Sequence, residues 1–153
     1  MIISTKGRYA LRVMIDLVQN QSDGYLPLKE IAARQEISEK YLESILKVLV
    51  QNHLLTGLRG KGGGYRLTRL PSEYTVGDIL RLTEDTLAPV ACLEPCAPLC
   101  PRSSYCPTLP MWKELDQMIN RFFDGITIAD LAEQNQEIHW PAILFRDKNQ
   151  RQS

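Results

Sequence analysis

No apolar run in this chain of 153 residues approaches the roughly 20 needed to span a bilayer. The first 20 residues are apolar-rich, but Lys6, Arg8, Arg12 and Asp16 interrupt them, which argues against a secretory leader. These absences predict a cytoplasmic protein with no membrane partner. Catalytic constellations are missing too. No nucleophile–base pair or pair of carboxylates is spaced for catalysis, and the glycines at 60–64 lack the Lys-Ser/Thr ending of a phosphate loop. An enzyme is not expected. Net charge is also absent, with 18 Lys+Arg against 18 Asp+Glu, which excludes a polybasic tail and an acidic disordered chain. The zero hides an asymmetry. Residues 1–70 hold 11 Lys/Arg and 6 Asp/Glu, net +5, whereas residues 71–153 hold 7 and 12, net −5. A basic half and an acidic half imply two jobs.

What is present is an ordinary globular balance, 44% hydrophobic and 24% charged, in a chain long enough to bury a core without disulfides. Residues 5–19 place Ala10, Val13, Met14, Leu17 and Val18 at helical spacing, with Ser4 or Thr5 as the cap. Residues 27–35 form a short second helix with Pro27 at its first position. A third opens at Ser38 and runs to His53. Its core face is Leu42, Ile45, Leu46 and Leu49, while Glu39, Lys40, Glu43 and Lys47 point the other way. Two short helices after a longer supporting one read as a helix-turn-helix. LLTGLRGKGGGYRLTRL then reads as a strand, a glycine-rich tip and a second strand, a hairpin wing. A helix follows over 75–83, then a proline-rich loop, a long amphipathic helix over 108–124 and a small one over 127–134. There are no internal repeats. The expected fold is mainly α with a small β-wing: a winged helix-turn-helix plus a long dimerisation helix. The expected divisions are 1–83 for DNA binding, 84–107 for a cysteine-rich sensory loop, 108–135 for dimerisation and 136–153 for a polar tail.

The major groove of B-DNA admits one α-helix, read from its N-terminal part. Ser38, Lys40, Tyr41 and Glu43 fill the first two turns of the third helix, with Lys47 a turn later. Glu43 can accept a hydrogen bond from cytosine N4, and Ser38 and Lys40 suit phosphates. The thin wing tip suits the minor groove, where Arg59 and Lys61 meet its negative potential. Gly62 and Gly63 keep that tip thin, Tyr65 sits at its base, and Tyr9 reaches toward a phosphate. The competing reading of any one of these residues is a solvated charged face. The stripe Trp112, Leu115, Met118, Ile119 and Phe122 on the long helix asks for a partner, or else packs on its own domain.

The segments STKGRYALRVMIDL, IAARQEISEKYLESILKVLVQNHLL and RGKGGGYRLTR resemble the Rrf2 family of bacterial winged-helix transcription regulators, which includes the IscR, NsrR and RirA types. The resemblance covers about residues 1–135, and the wing is its most specific part. It implies a homodimer on a near-palindromic operator of double-stranded DNA, joined through the long helix. It also implies base discrimination at Glu43, and DNA contacts at Tyr41, Arg59 and the wing glycines.

All four cysteines lie in one stretch, Cys92-x3-Cys96-x3-Cys100-x5-Cys106. In a reducing compartment such a cluster is metal-binding or redox-active more often than a structural disulfide pair. Thiolates suit iron–sulfur clusters, zinc or copper(I). The spacing is not that of a ferredoxin, and Cys100/Cys106 fits a zinc knuckle poorly. The resemblance implies an iron–sulfur cluster (2Fe–2S or 4Fe–4S) held by Cys92, Cys100 and Cys106. Cys96 is then extra, as a fourth ligand or a spare. One branch of the family uses a histidine just after the third cysteine, where this chain has Pro107 and Thr108. Another uses an aspartate near the start of the first helix, where this chain has Arg8. The fourth ligand therefore falls to Cys96, Glu94 or a small exogenous group. His53 reads as a polar helix end rather than a ligand. The alternative function is a cluster-free regulator controlled by thiol oxidation, a small molecule or a partner protein.

Overall fold

The computed structural model describes residues 1–133. The tail at 136–153, with His139 and Trp140, lies outside the described residues. The elements run α1 Thr5–Asn20, α2 Leu28–Gln35, α3 Glu39–Gln51, β1 Leu55–Leu58, β2 Gly64–Leu67, α4 Val76–Thr83, α5 Leu109–Asp124 and α6 Ile128–Ala132. Among the described residues, no helix is long and apolar enough to cross a membrane. The mainly helical architecture with one two-stranded wing is the one the hydrophobic periodicity predicts.

Ser4 caps α1, its hydroxyl accepting from the Gly7 N–H at 3.1 Å. Ala10, Val13, Met14 and Leu17 are buried as expected, while Val18 only packs against the edge of the core. The same buried face carries a carboxylate. Asp16, 2% exposed, accepts from Arg34 at 2.9 and 2.8 Å and from Gln35 at 2.9 Å. A buried charge without such partners would be strongly unfavourable, so this fork fixes α2 against α1.

Pro27 is the N-cap of α2 rather than its first helical residue. The reason lies one residue back. Leu26 is held extended against the wing, exchanging backbone hydrogen bonds with Tyr65 at 2.9 Å in both directions. Glu36 then turns left-handed, with φ 54°, and Ser38 caps α3 by accepting from the Tyr41 N–H at 3.3 Å. The predicted core face of α3 is wholly buried. The helix stops at Gln51, two residues short of the expected end. His53 adopts φ 60°, and the N–H groups of His53 and Leu54 return to the carbonyls of Val50 and Leu49 at 3.0 and 2.9 Å. This pairing satisfies the last carbonyls of the helix.

In the wing, Leu55 pairs with Leu67 and Leu58 with Gly64, antiparallel. Its base is anchored by Tyr74, which is fully buried. The Tyr74 hydroxyl donates to the Leu54 carbonyl at 2.9 Å and accepts from the N–H groups of Thr68 and Arg69 at 2.9 and 2.8 Å. Farther along, Arg81 of α4 grips Asp124 of α5 through two hydrogen bonds of 2.7 and 2.9 Å, and Asn120 at 2.8 Å. α6 folds back on the winged body, and its Ile128 is fully buried in the same core as α1 and α3. A smaller core of Val76, Leu80, Leu87 and Ile126 lies between α4 and α5.

Candidate nucleic-acid interface

Lys40, Glu43 and Lys47 are exposed on α3, and Ser38 is exposed at its N-cap. Tyr41 is half-buried, and its ring meets Tyr9 edge-on, 5.9 Å between centroids. The Arg12 guanidinium lies 4.9 Å over Tyr9. Arg12 is itself held by the side chain of Gln35 at 3.1 Å and by the Gln35 carbonyl. So α1, α2 and the first turn of α3 are locked together behind the exposed face.

A groove of about 740 Å³ separates α3 from the wing. Glu39, Glu43 and Lys47 line it from α3, Arg59 and Tyr65 from the wing, and Lys29 from the start of α2. Its depth depends on one close approach. A Cβ on Gly64 would lie 2.1 Å from the Leu26 carbonyl oxygen, so only glycine lets the second strand reach the α2 segment. Gly62, at φ +74°, makes the turn at the tip, which any other residue would strain. Gly63 lines the groove, whereas Lys61 and Gly62 stand outside it as an exposed tip. Burial pushes the Tyr65 phenol above its ordinary pKa. The facing Glu43 carboxylate adds to the rise and Arg59 opposes it. Recognition-face, wing-base and wing-tip groups thus share one electrostatic neighbourhood.

Sequence reasoning missed Lys29, Gln51 and Leu58 as groove residues. Lys29 is visible as an exposed first-turn cation. Its placement depends on the Leu26–Tyr65 pairing, which no local pattern announces.

The cysteine loop leaves α4 at Glu84 and returns at Thr108. Leu87 and Ala88 tuck into the body, and a short helical turn spans Ala91–Leu93. Cys92 and Cys96 are exposed, Cys100 and Cys106 half-exposed, and all four are free thiols. Cys96 is in the left-handed conformation, φ 62°. The Cys106 sulfur lies 3.5 Å from the Thr108 hydroxyl. That hydroxyl, then the N–H groups of Thr108 and Leu109 and the charge of Arg102, lower its pKa against the opposing effect of desolvation. Among the described residues, no three His, Cys, Asp or Glu side chains gather into a group able to hold a metal ion. The structure therefore does not bring Cys92, Cys96, Cys100 and Cys106 together.

α5 is a helix of 16 residues with none buried. Met111, Leu115 and Met118 are exposed. Trp112, Ile119 and Phe122 are half-buried, and Phe122 packs on the smaller core beside Phe123.

A helix-turn-helix flanked by a glycine-tipped hairpin, with Lys40, Glu43 and Lys47 exposed on its third helix, is a winged helix. The chain belongs to the Rrf2 family: the family model, described as an iron-dependent transcriptional regulator, matches residues 3–134. It is 37% identical over 131 residues to the protein Rrf2 of Nitratidesulfovibrio vulgaris, covering 86% of this chain and 87% of that one. Among solved structures it is similar to CymR, described as the global cysteine regulator of B. subtilis. That pair has a TM-score of 0.71 and 34% identity, over 89% of this chain and 99% of the other. It is also similar to T. potens IscR, with a TM-score of 0.67 and 34% identity, over 90% and 94% of the two chains.

Proposed function

We propose that the chain binds double-stranded DNA as a two-fold homodimer on a near-palindromic operator, and that its cysteine loop carries the signal that changes this binding. The groove between α3 and the wing carries the DNA reading, because Glu43, Lys47, Arg59 and Tyr65 border it from two elements. Glu43 takes a cytosine N4 donor in the major groove. Ser38, Lys40, Tyr41 and Tyr9 hold phosphates. Arg59, Lys61, Gly62 and Gly63 enter the adjoining minor groove. The exposed Met111, Leu115 and Met118 support pairing through α5, since such a face is otherwise left in water. A two-fold pair sets the recognition helices about 34 Å apart, one turn of DNA. Selection of duplexes from a random pool, followed by sedimentation of the complex, tests this. Two protomers on a symmetric site are expected; no enrichment of any sequence defeats the proposal.

The donor chemistry of the loop suits an iron–sulfur cluster, with four free thiols in one segment. Their placement does not, because no three of them gather among the described residues. A cluster on Cys92, Cys100 and Cys106, with Cys96 as fourth ligand, requires the loop to refold. The dispersed free thiols favour the second reading, a cluster-free regulator governed by thiol oxidation, a small molecule or a partner protein. Anaerobic reconstitution separates the two. Iron, sulfide and visible absorption support the cluster. Their absence, together with oxidant-dependent thiol masses, supports the thiol switch.

A further inference from the structure

We propose that Lys29, in the first turn of α2, is a DNA-backbone contact that adds a cation from α2 to the groove bordered by Lys47 of α3 and Arg59 of the wing. The inference rests on the DNA-binding reading above and adds a third element to it. Its first support is placement. Lys29, Lys47 and Arg59 come from α2, α3 and the wing, and all three border the same groove.

The second support is the state of the ammonium. Lys29 is exposed, and among the described residues it has no ion-pair partner. The neighbouring Glu30 reaches instead to Arg34, at 3.6 Å. Glu39 and Glu43 line the groove from α3, yet neither closes an ion pair with these cations.

The third support is position along the helix. The first turn of a helix carries partial positive charge from its unpaired N–H groups, so a lysine there opposes its own helix. Alanine is also the better helix former. Helix stability therefore does not favour a lysine at 29, and its exposed ammonium is free to meet a polyanion lying in the groove. Lys29 can hold a phosphate at the α2 border of the groove, which Glu43 lines from α3.

The test uses the full chain with Lys29→Ala and Lys29→Gln. The probes are a duplex selected from a random pool and a scrambled duplex of equal length. Affinity is measured across about 50 to 200 mM salt. The slope of log K against log salt is expected to fall by about 0.9 per protomer on both duplexes. Affinity is expected to drop about fivefold per protomer near physiological salt. The thermal midpoint of the free protein should hold or rise. An unchanged slope while wild type still binds overturns the role of Lys29. So does a loss confined to the selected duplex, which would mean base reading, or a lower midpoint without a slope change, which would mean a structural role. If wild type binds neither duplex, the DNA reading itself fails and this inference goes with it.

Discussion

Glu84, the first residue after α4, grips Ser4, the cap of α1, with both carboxylate oxygens: Oε1 accepts from the Ser4 hydroxyl at 2.7 Å and Oε2 from the Ser4 N–H at 3.1 Å. The clamp needs Gly7, where an added Cβ would lie 2.1 Å from Glu84 Oε1. Since Glu84 also begins the cysteine loop, the origin of that loop is tied to the N-terminus of α1. Glu84→Ala should cost about 1–3 kcal/mol in urea unfolding, the usual loss for charged hydrogen bonds. Gly7→Ala should cost a similar amount in wild type. In the Glu84→Ala background it should cost much less, because the obstructing oxygen is gone and alanine favours the helix. Additive losses would show that the two residues do not meet in solution.

Much of this arrangement is legible in the chain because it repeats locally. The faces of α1 and α3 follow from a 3.6-residue period, and the wing from glycines between two short strands. The exposed side of α3 follows from the same period, so Lys40, Glu43 and Lys47 are found from sequence. What stays hidden depends on residues far apart in the chain. Asp16 sits on an apolar face and reads as an interruption until Arg34 and Gln35 arrive from α2. Tyr74 reads as one more aromatic, although its hydroxyl ties the wing to the end of α3. The stripe on α5 is legible, but not its division, with Leu115 and Met118 left exposed and Phe122 packed on the smaller core. The spacing of the cysteines names ligand chemistry without saying whether the thiols meet.

Tyr65 offers a pH signature of the groove. Its phenol is raised in the folded protein, mainly by burial and next by Glu43. A neutral form favoured by folding means that the folded state holds its proton more tightly. The stabilisation is therefore complete below the ordinary phenol value of about 10 and is lost as pH rises through the higher folded value. Glu43→Gln should bring the Tyr65 ultraviolet titration downward, and Arg59→Gln should take it up. No movement in either variant would mean that the three groups do not share the groove.

Base reading and backbone holding predict different losses on the same protein. Glu43→Ala removes an acceptor aimed at a base edge. It should erode the preference for the selected duplex by about 1–3 kcal/mol while leaving binding to scrambled DNA intact or tighter. Arg59→Ala removes a cation at the wing. It should weaken every duplex and lower the salt slope by about 1 per protomer. An equal loss on all sequences for Glu43→Ala would assign that residue to general binding instead.

The split face of α5 predicts that pairing and folding come apart. Leu115 and Met118 are 37% and 41% exposed, so placing aspartate there should cost the protomer's thermal midpoint far less than a core substitution. If α5 pairs two protomers, the remaining exposed two-fifths of each side chain is worth about 0.6–1.2 kcal/mol of burial, and two-fold symmetry counts it twice. The dimer should then weaken by at least roughly 10- to 10²-fold, visible as monomers in sedimentation velocity. Phe122→Asp should behave differently, because Phe122 packs against the core of Val76, Leu80, Leu87 and Ile126 and its loss strikes the fold itself. Binding to a symmetric duplex should collapse in Leu115→Asp while weak binding to a single half-site persists, since the groove between α3 and the wing lies wholly within one chain. A Leu115→Asp protein that still sediments as a dimer would move the pairing surface away from this helix.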